Sequence, residues 1–284
     1  MKTKAYLIQM TGFFLIRLGT FIVIAFLLLM LGYIFTKGIS AISWEFLSEM
    51  PKSEMTKGGI LPAIAGTFYL MIGSSLISIP VGIITAIYLT EYAKNPGIVK
   101  IIRLGINNLA GVPSVVFGLF GLSLFVIFLG FGTSILAGSL TLGLLNLPVI
   151  IRSTEESLQV VPGTYREASL SLGATKWQTI YKVILPNALP GIMTGVMLSL
   201  GRAAGETAPV MFTAAAFYTP DLPASIFSEV MALPYHIYVM ATAGTHIQAT
   251  RHLQYGTAII LISLVLILNM AGLILRYRFK KNLK

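Results

Sequence analysis

Between Arg103 and Arg152 the chain runs for 48 residues, 104–151, without a charged side chain. As one helix that stretch would measure roughly 70 Å, more than twice the hydrocarbon thickness of a bilayer. It has to fold back on itself, and Gly130-Phe131-Gly132-Thr133-Ser134 supplies the residues for a tight turn. Two membrane crossings are therefore expected there. Residues 18–36 hold another charge-free crossing, and residues 58–90 a second, starting near Ala63. A fifth is expected over residues 188–213, interrupted by Arg202 and Glu206, and a sixth over residues 255–275. The expected fold is all-α, a polytopic bundle of six transmembrane helices. Charged residues make up 11% of the chain, against roughly 25% in soluble domains. The first apolar segment, residues 13–35, is too long for a signal-peptide core and is expected to remain as a span.

Lysine and arginine set the orientation. With the N-terminus inside, the inner segments carry 15 of them and the outer segments four, Lys37, Lys52, Lys57 and Arg251. Both termini are thus expected in the cytoplasm. The net charge of +10 comes from these span-end residues. They form no stripe interleaved with aromatics, so nucleic acid is not an expected partner. There is no cysteine, which excludes disulfides and thiolate metal sites. His236, His246 and His252 fall in an outer loop without tight ligand spacing, so solvated histidines are expected and no metal site.

Two segments outside the spans are long: 152–187 on the inner side and 214–254 on the outer side. In the inner one, Thr164 through Glu167 fits a helix capping box, as does Thr175 through Gln178. Gly173 is placed to end the first helix in a left-handed conformation. Trp177, Ile180, Tyr181 and Ile184 recur at helical spacing, an expected apolar stripe, and Pro186 is expected to stop the second helix. Such an edge either packs on the bundle or meets a partner. In the outer segment, residues 224–231 read as an amphipathic helix lying on the membrane, either receiving a partner or covering the bundle as a plug.

Arg202 and Glu206 are four residues apart, share a helix face and are expected to pair inside the fifth span. Ionisable groups at that depth face a bundle interior or a watery cavity. The pair either glues helices together or forms an anion site, in which the arginine fork grips oxoanion oxygens and Glu206 accepts a proton-bearing oxygen. Hydrogen phosphate carries such a proton at neutral pH and sulfate does not. Gly191, Gly195, Gly201 and Gly205 have the four-residue spacing that permits close helix approach, and Pro209 is expected to kink the helix.

Glu167-Ala168-Ser169, then Gly173, then Val183-Ile184-Leu185-Pro186 resembles the cytoplasmic signature loop of ABC importer permeases. There the pattern reads Glu-Ala-Ala, three residues, Gly, nine residues, Ile-x-Leu-Pro. Ser169 and Val183 are the two departures, both small. The resemblance implies a type I importer permease fold and a coupling loop (Glu167, Ala168, Gly173, Leu185, Pro186) that seats on a cytoplasmic ATPase. The chain lacks G-x-x-x-x-G-K-[ST], so ATP and Mg would be held by that separate subunit. The stretch from Arg202 through Thr207 to Pro209 is similar to the PstA type of phosphate-importer permease. So are residues 58–67 and 111–119, the latter read as packing and bending. This implies a substrate pathway at Arg202, Glu206 and Thr207, and the plasma membrane of a bacterium or archaeon as the location. It also implies a homologous permease partner, two ATPase subunits and an extracytoplasmic phosphate-binding protein. The implied layout is residues 1–57 with the first span, a transport domain over 58–278 and a basic tail over 279–284. A permease for another oxoanion, or a transporter or channel working alone, stays open as an alternative. A membrane enzyme is not expected, since H-E-x-x-H and G-x-S-x-G are both missing from the sequence.

Overall fold

A computed structural model describes residues 2–282 except Glu54, Pro220, residues 244–246 and Ala249. It is a bundle of helices. α1 (Lys2–Gly38) is followed by the short α2 (Trp44–Ser48), capped by the Ser43 hydroxyl. A two-residue-per-strand hairpin, β1 (Pro51–Lys52) with β2 (Lys57–Gly58), leads into α3 (Leu61–Ile87). α4 (Pro96–Ala110) starts on a proline, with Asn95 accepting from the amides of Gly97 and Ile98. α5 (Ser114–Gly121) runs into a π turn, Leu122–Phe128. α6 (Ile135–Val160) is capped by Ser134. Then come α7 (Gly163–Ser171), α8 (Lys176–Thr179), α9 (Leu185–Gly205), α10 (Ala208–Thr213), α11 (Leu233–Thr242) and α12 (Arg251–Asn282).

Among the described residues, five continuous helical stretches are long and apolar enough to cross a membrane: Gln9–Ala41, Leu61–Tyr92, Ile135–Val160, Lys176–Gly205 and Arg251–Phe279. A bent pair, α4 with α5 and its π turn, meets at 99° and brings the number to six when it is taken as one broken span. The expected six crossings thus correspond to five continuous spans and this broken one. The third is not a straight helix, because Gly111-Val112-Pro113 breaks it; Pro113 cannot continue the amide ladder of α4. The turn at 130–134 forms as expected, with Gly130 at φ +70° and Gly132 at φ +67°. These are left-handed values that suit glycine.

Close contact between helices comes from small residues, which is how apolar helices bind one another where no water is expelled. A Cβ added at Gly195 would collide with the Ser153 side chain, and one at Gly191 with Ser157. Those two glycines let α9 lie directly on α6. Gly201 has only ordinary contacts and Gly205 faces open space, so the second glycine pair does not make the expected close approach. Gly118 packs against Pro209 and Phe212, which joins α5 to α10 and bears out the reading of residues 111–119 as packing and bending.

Among the described residues, three buried clusters fill the bundle. One lies around Phe46, Met71, Met231, Leu233 and Val239. One lies around Leu142, Val210 and Val230. The third joins Leu89, Ile151, Leu158, Ile180, Ile184 and Ile192. This third cluster welds the inner ends of α3, α6 and α9 to the loop that carries α7 and α8.

Candidate functional site

The inner loop is shorter than the charge pattern indicates. Arg152 does not begin it; α6 continues through that residue to Val160. α7 is preceded by Pro162 rather than Thr164, and no side chain caps it. The Thr164 capping box is therefore not formed, because Pro162 fixes the helix start two residues earlier. Gly173 takes φ +83° as expected, and Thr175 with Gln178 forms both bonds of the second box.

Pro186 does not stop the second helix. Residues Ile180–Ile184 form a π turn, and Pro186 sits in the first turn of α9. The wider turn accommodates the proline, so α8 and α9 become one span, Lys176–Gly205. The same turn divides the expected stripe. Ile180 and Ile184 are buried, whereas Trp177 and Tyr181 are each 60% exposed. Their rings stack on each other, centroids 6.3 Å apart at 15°. Tyr165, Leu170 and Leu172 of the same loop are also exposed, so the loop carries five bare aromatic and aliphatic side chains. Glu167 and Ala168 are exposed on α7; Leu185 and Pro186 are partly buried at the start of α9.

Arg166 holds this loop in place. Its Nη2 and Nε donate to Glu91 Oε1 at 2.7 and 3.1 Å, and its Nη2 and Nη1 donate to the carbonyls of Leu158 and Val161. Lys176 Nζ donates to the Glu91 carbonyl and lies 4.9 Å from the Tyr92 ring centroid. Ser169 and Thr179 hydroxyls bond at 2.9 Å, tying α7 to α8. Sequence reasoning did not single out Glu91. The usable signal was a carboxylate at the end of a long apolar run, facing a cation-rich loop.

The fifth crossing is broken, not kinked. α9 ends at Gly205, Glu206 takes an extended backbone (φ −73°, ψ 124°), and α10 begins at Ala208. Pro209 lies in the first turn of α10, where its missing N–H costs nothing. The break therefore falls three residues earlier than the proline alone would place it. Arg202 and Glu206 do pair, with Arg202 Nε donating to Glu206 Oε1 at 3.0 Å. Their side chains are 42% and 14% exposed, so the arginine leans into open space while the carboxylate is held back. No bond engages Nη1 or Nη2 of Arg202 among the described residues. Thr207 is partly buried at the break.

The outer segment differs from expectation. Residues 224–231 do not form a helix. They form an irregular strap, a turn over Ser225–Ser228 followed by Val230 in a parallel bridge with Ala215. Ile226 and Ser228 carbonyls accept from Leu136 and Ile135 amides, and Glu229 accepts from the Thr133 hydroxyl. The helix of this segment is α11, and His236 lies on it, buried rather than solvated. Burial lowers its pKa to about 4, and its Nδ1 has no partner among the described residues. His252 is exposed at the start of α12; His246 lies outside the described residues.

These features together are those of a multi-pass importer permease. A solved inward-facing chain of the MetNI methionine ABC transporter matches with a TM-score of 0.58 and 21% identity, over 78% of this chain and 94% of that one. That likeness speaks for the fold. Residues 78–284 match the family described as binding-protein-dependent transport system inner membrane component, and the chain belongs to that family. It is 36% identical over 263 residues to the probable ABC transporter permease protein YqgI of Bacillus subtilis, covering 88% of this chain and 89% of the relative. It is 38% identical over 253 residues to the phosphate transport system permease protein PstA of Mycobacterium leprae, covering 87% and 82%.

Proposed function

We propose that this permease is one membrane half of an ATP-driven importer of inorganic phosphate, in the plasma membrane of a bacterium or archaeon. The observation that carries the reading is the broken helix at Arg202, Glu206 and Thr207. Glu206 occupies Nε and leaves the two terminal nitrogens of Arg202 as a free, planar pair of donors facing open space. That fork fits two oxygens of one oxoanion. Glu206, fixed beside it, repels a fully ionised anion but accepts a hydrogen bond from one that still carries a proton. Kinship with a relative named as a phosphate permease supports the same substrate.

The exposed face of Tyr165, Leu170, Leu172, Trp177 and Tyr181 is the surface offered to the ATPase, with Glu167 and Ala168 at its edge. ATP and Mg are held by that subunit, two copies of which serve this chain and a homologous permease. An extracytoplasmic phosphate-binding protein delivers the anion to the outer strap. The chain itself performs no chemistry on the substrate.

Reconstitution of the assembled complex with its binding protein tests the proposal. ATP-dependent uptake of labelled phosphate is expected, with excess sulfate competing poorly. Uptake of sulfate at equal rate would assign a different or broader oxoanion. Transport by this chain alone, without ATP, would replace the importer reading with that of a free-standing carrier.

A further inference from the structure

The bend at residues 111–113 leaves α4 at 99° to the crossing half of its span. A helix at right angles to a spanning helix lies along the membrane plane. It sits at the end of the bundle that carries the coupling loop, since Arg103 on α4 donates to Glu155 at 2.8 and 3.0 Å near the foot of α6. No residue of α4 is buried. Ile98, Ile101, Ile102 and Leu109 share one face and are exposed, Ile101 by 70%. Lys100 and Asn107, seven residues apart, point the opposite way. This is the pattern of a helix floating in the interface, apolar side down and basic side up.

Beside that basic side lies a groove of about 560 Å³ lined by Lys94, Lys100 and Arg103 together with Leu89, Val99 and Leu104. Arg103 is neutralised by Glu155. Lys94 and Lys100 have no ion-pair partner among the described residues. We propose that this groove binds the phosphate-bearing headgroup of an anionic phospholipid, with the isoleucine face of α4 among the acyl chains. A free phosphate ion would match the lysines but not the three apolar walls. A protein covering the isoleucines would leave both cations unanswered unless it placed acids at the same level. One anionic lipid supplies the charge and the apolar chains together. The inference needs only the membrane placement and is independent of what is transported.

The test uses the assembled transporter in nanodiscs of equimolar phosphatidylglycerol and phosphatidylcholine, with retained lipid read by native mass spectrometry. In Lys94→Gln/Lys100→Gln, retention of phosphatidylglycerol is expected to fall roughly 30-fold, since each interfacial cation contributes a preference of about fivefold and two are removed. Lys94→Arg/Lys100→Arg is expected to retain it, and co-elution with the partner subunits shows that either variant is folded. A photoreactive side chain at position 101 is expected to label lipid. Unchanged phosphatidylglycerol retention in the glutamine variant overturns the proposal. So does labelling of a protein subunit from position 101, or displacement of the lipid by millimolar inorganic phosphate.

Discussion

Arg202 offers the sharpest single-residue test. Arg202→Lys keeps the charge but not the planar fork, so one charge-assisted hydrogen bond to the anion is lost. Such a bond contributes about 1.5–3 kcal/mol, and phosphate uptake at subsaturating substrate is expected to fall at least tenfold with complex assembly unchanged. Gly195 tests the packing. Its Cβ would strike Ser153, and Gly195→Val is expected to destabilise the bundle by about 1–3 kcal/mol, read by thermal unfolding in detergent. Gly205→Ala, facing open space, is expected to cost far less. The spacing of these glycines was legible in the sequence. Which of them meets a neighbour was not, because helix spacing repeats along α9 while α6 lies against only part of it.

At the scale of elements, the inner loop is a small folded unit pinned by Arg166. Arg166→Ala removes four hydrogen bonds and leaves Glu91 partly buried without its cation. Loss of one partner from such a pair is expected to cost about 2–3 kcal/mol, below the value for a fully buried pair. The predicted signature is ATP hydrolysis that continues while phosphate uptake falls, measured on the same reconstituted sample. The second helix and the Gly173 corner were readable from the Thr175–Gln178 box and a glycine in the right place, whereas the first helix starts at the Pro162 breaker and not at the Thr164 box. The junction with α9 was not. A proline ordinarily marks a helix end, and only the π turn at Ile180–Ile184 lets the helix pass through it. The outer strap was misread for a similar reason: residues 224–231 have helical spacing, yet their carbonyls are claimed by Ile135, Leu136 and Ala216 amides. Those partners are distant in sequence and invisible to local periodicity.

For the whole molecule, the crossing count was legible in the charge-free lengths, because a bilayer sets the length of a span; the distribution of lysine and arginine adds the expectation that both termini lie inside. The chain has no cysteine, so Leu172→Cys and Phe227→Cys, both at exposed sites, can be labelled singly. An impermeant maleimide is expected to reach position 227 from outside intact cells and position 172 only from inside. Stability should also follow pH. His236 is neutral when folded, with its pKa lowered by burial from 6.5 to about 4. Between those values the unfolded chain binds a proton that the folded chain does not, so stability is complete above pH 6.5 and falls as pH drops toward 4. The loss is on the order of 3 kcal/mol. A midpoint-against-pH series checks it, and His236→Leu is expected to flatten that slope. The continuous helix Lys176–Gly205 has a mechanical consequence. Trp177 and Arg202 ride on one rod, roughly 38 Å apart at 1.5 Å per residue. A tilt of about 5° imposed at the aromatic end sweeps the arginine end through about 3 Å, the width of a hydrogen bond. The rod is a lever arm, and its length sets how small a movement below the membrane is enough to open or close the grip on an anion.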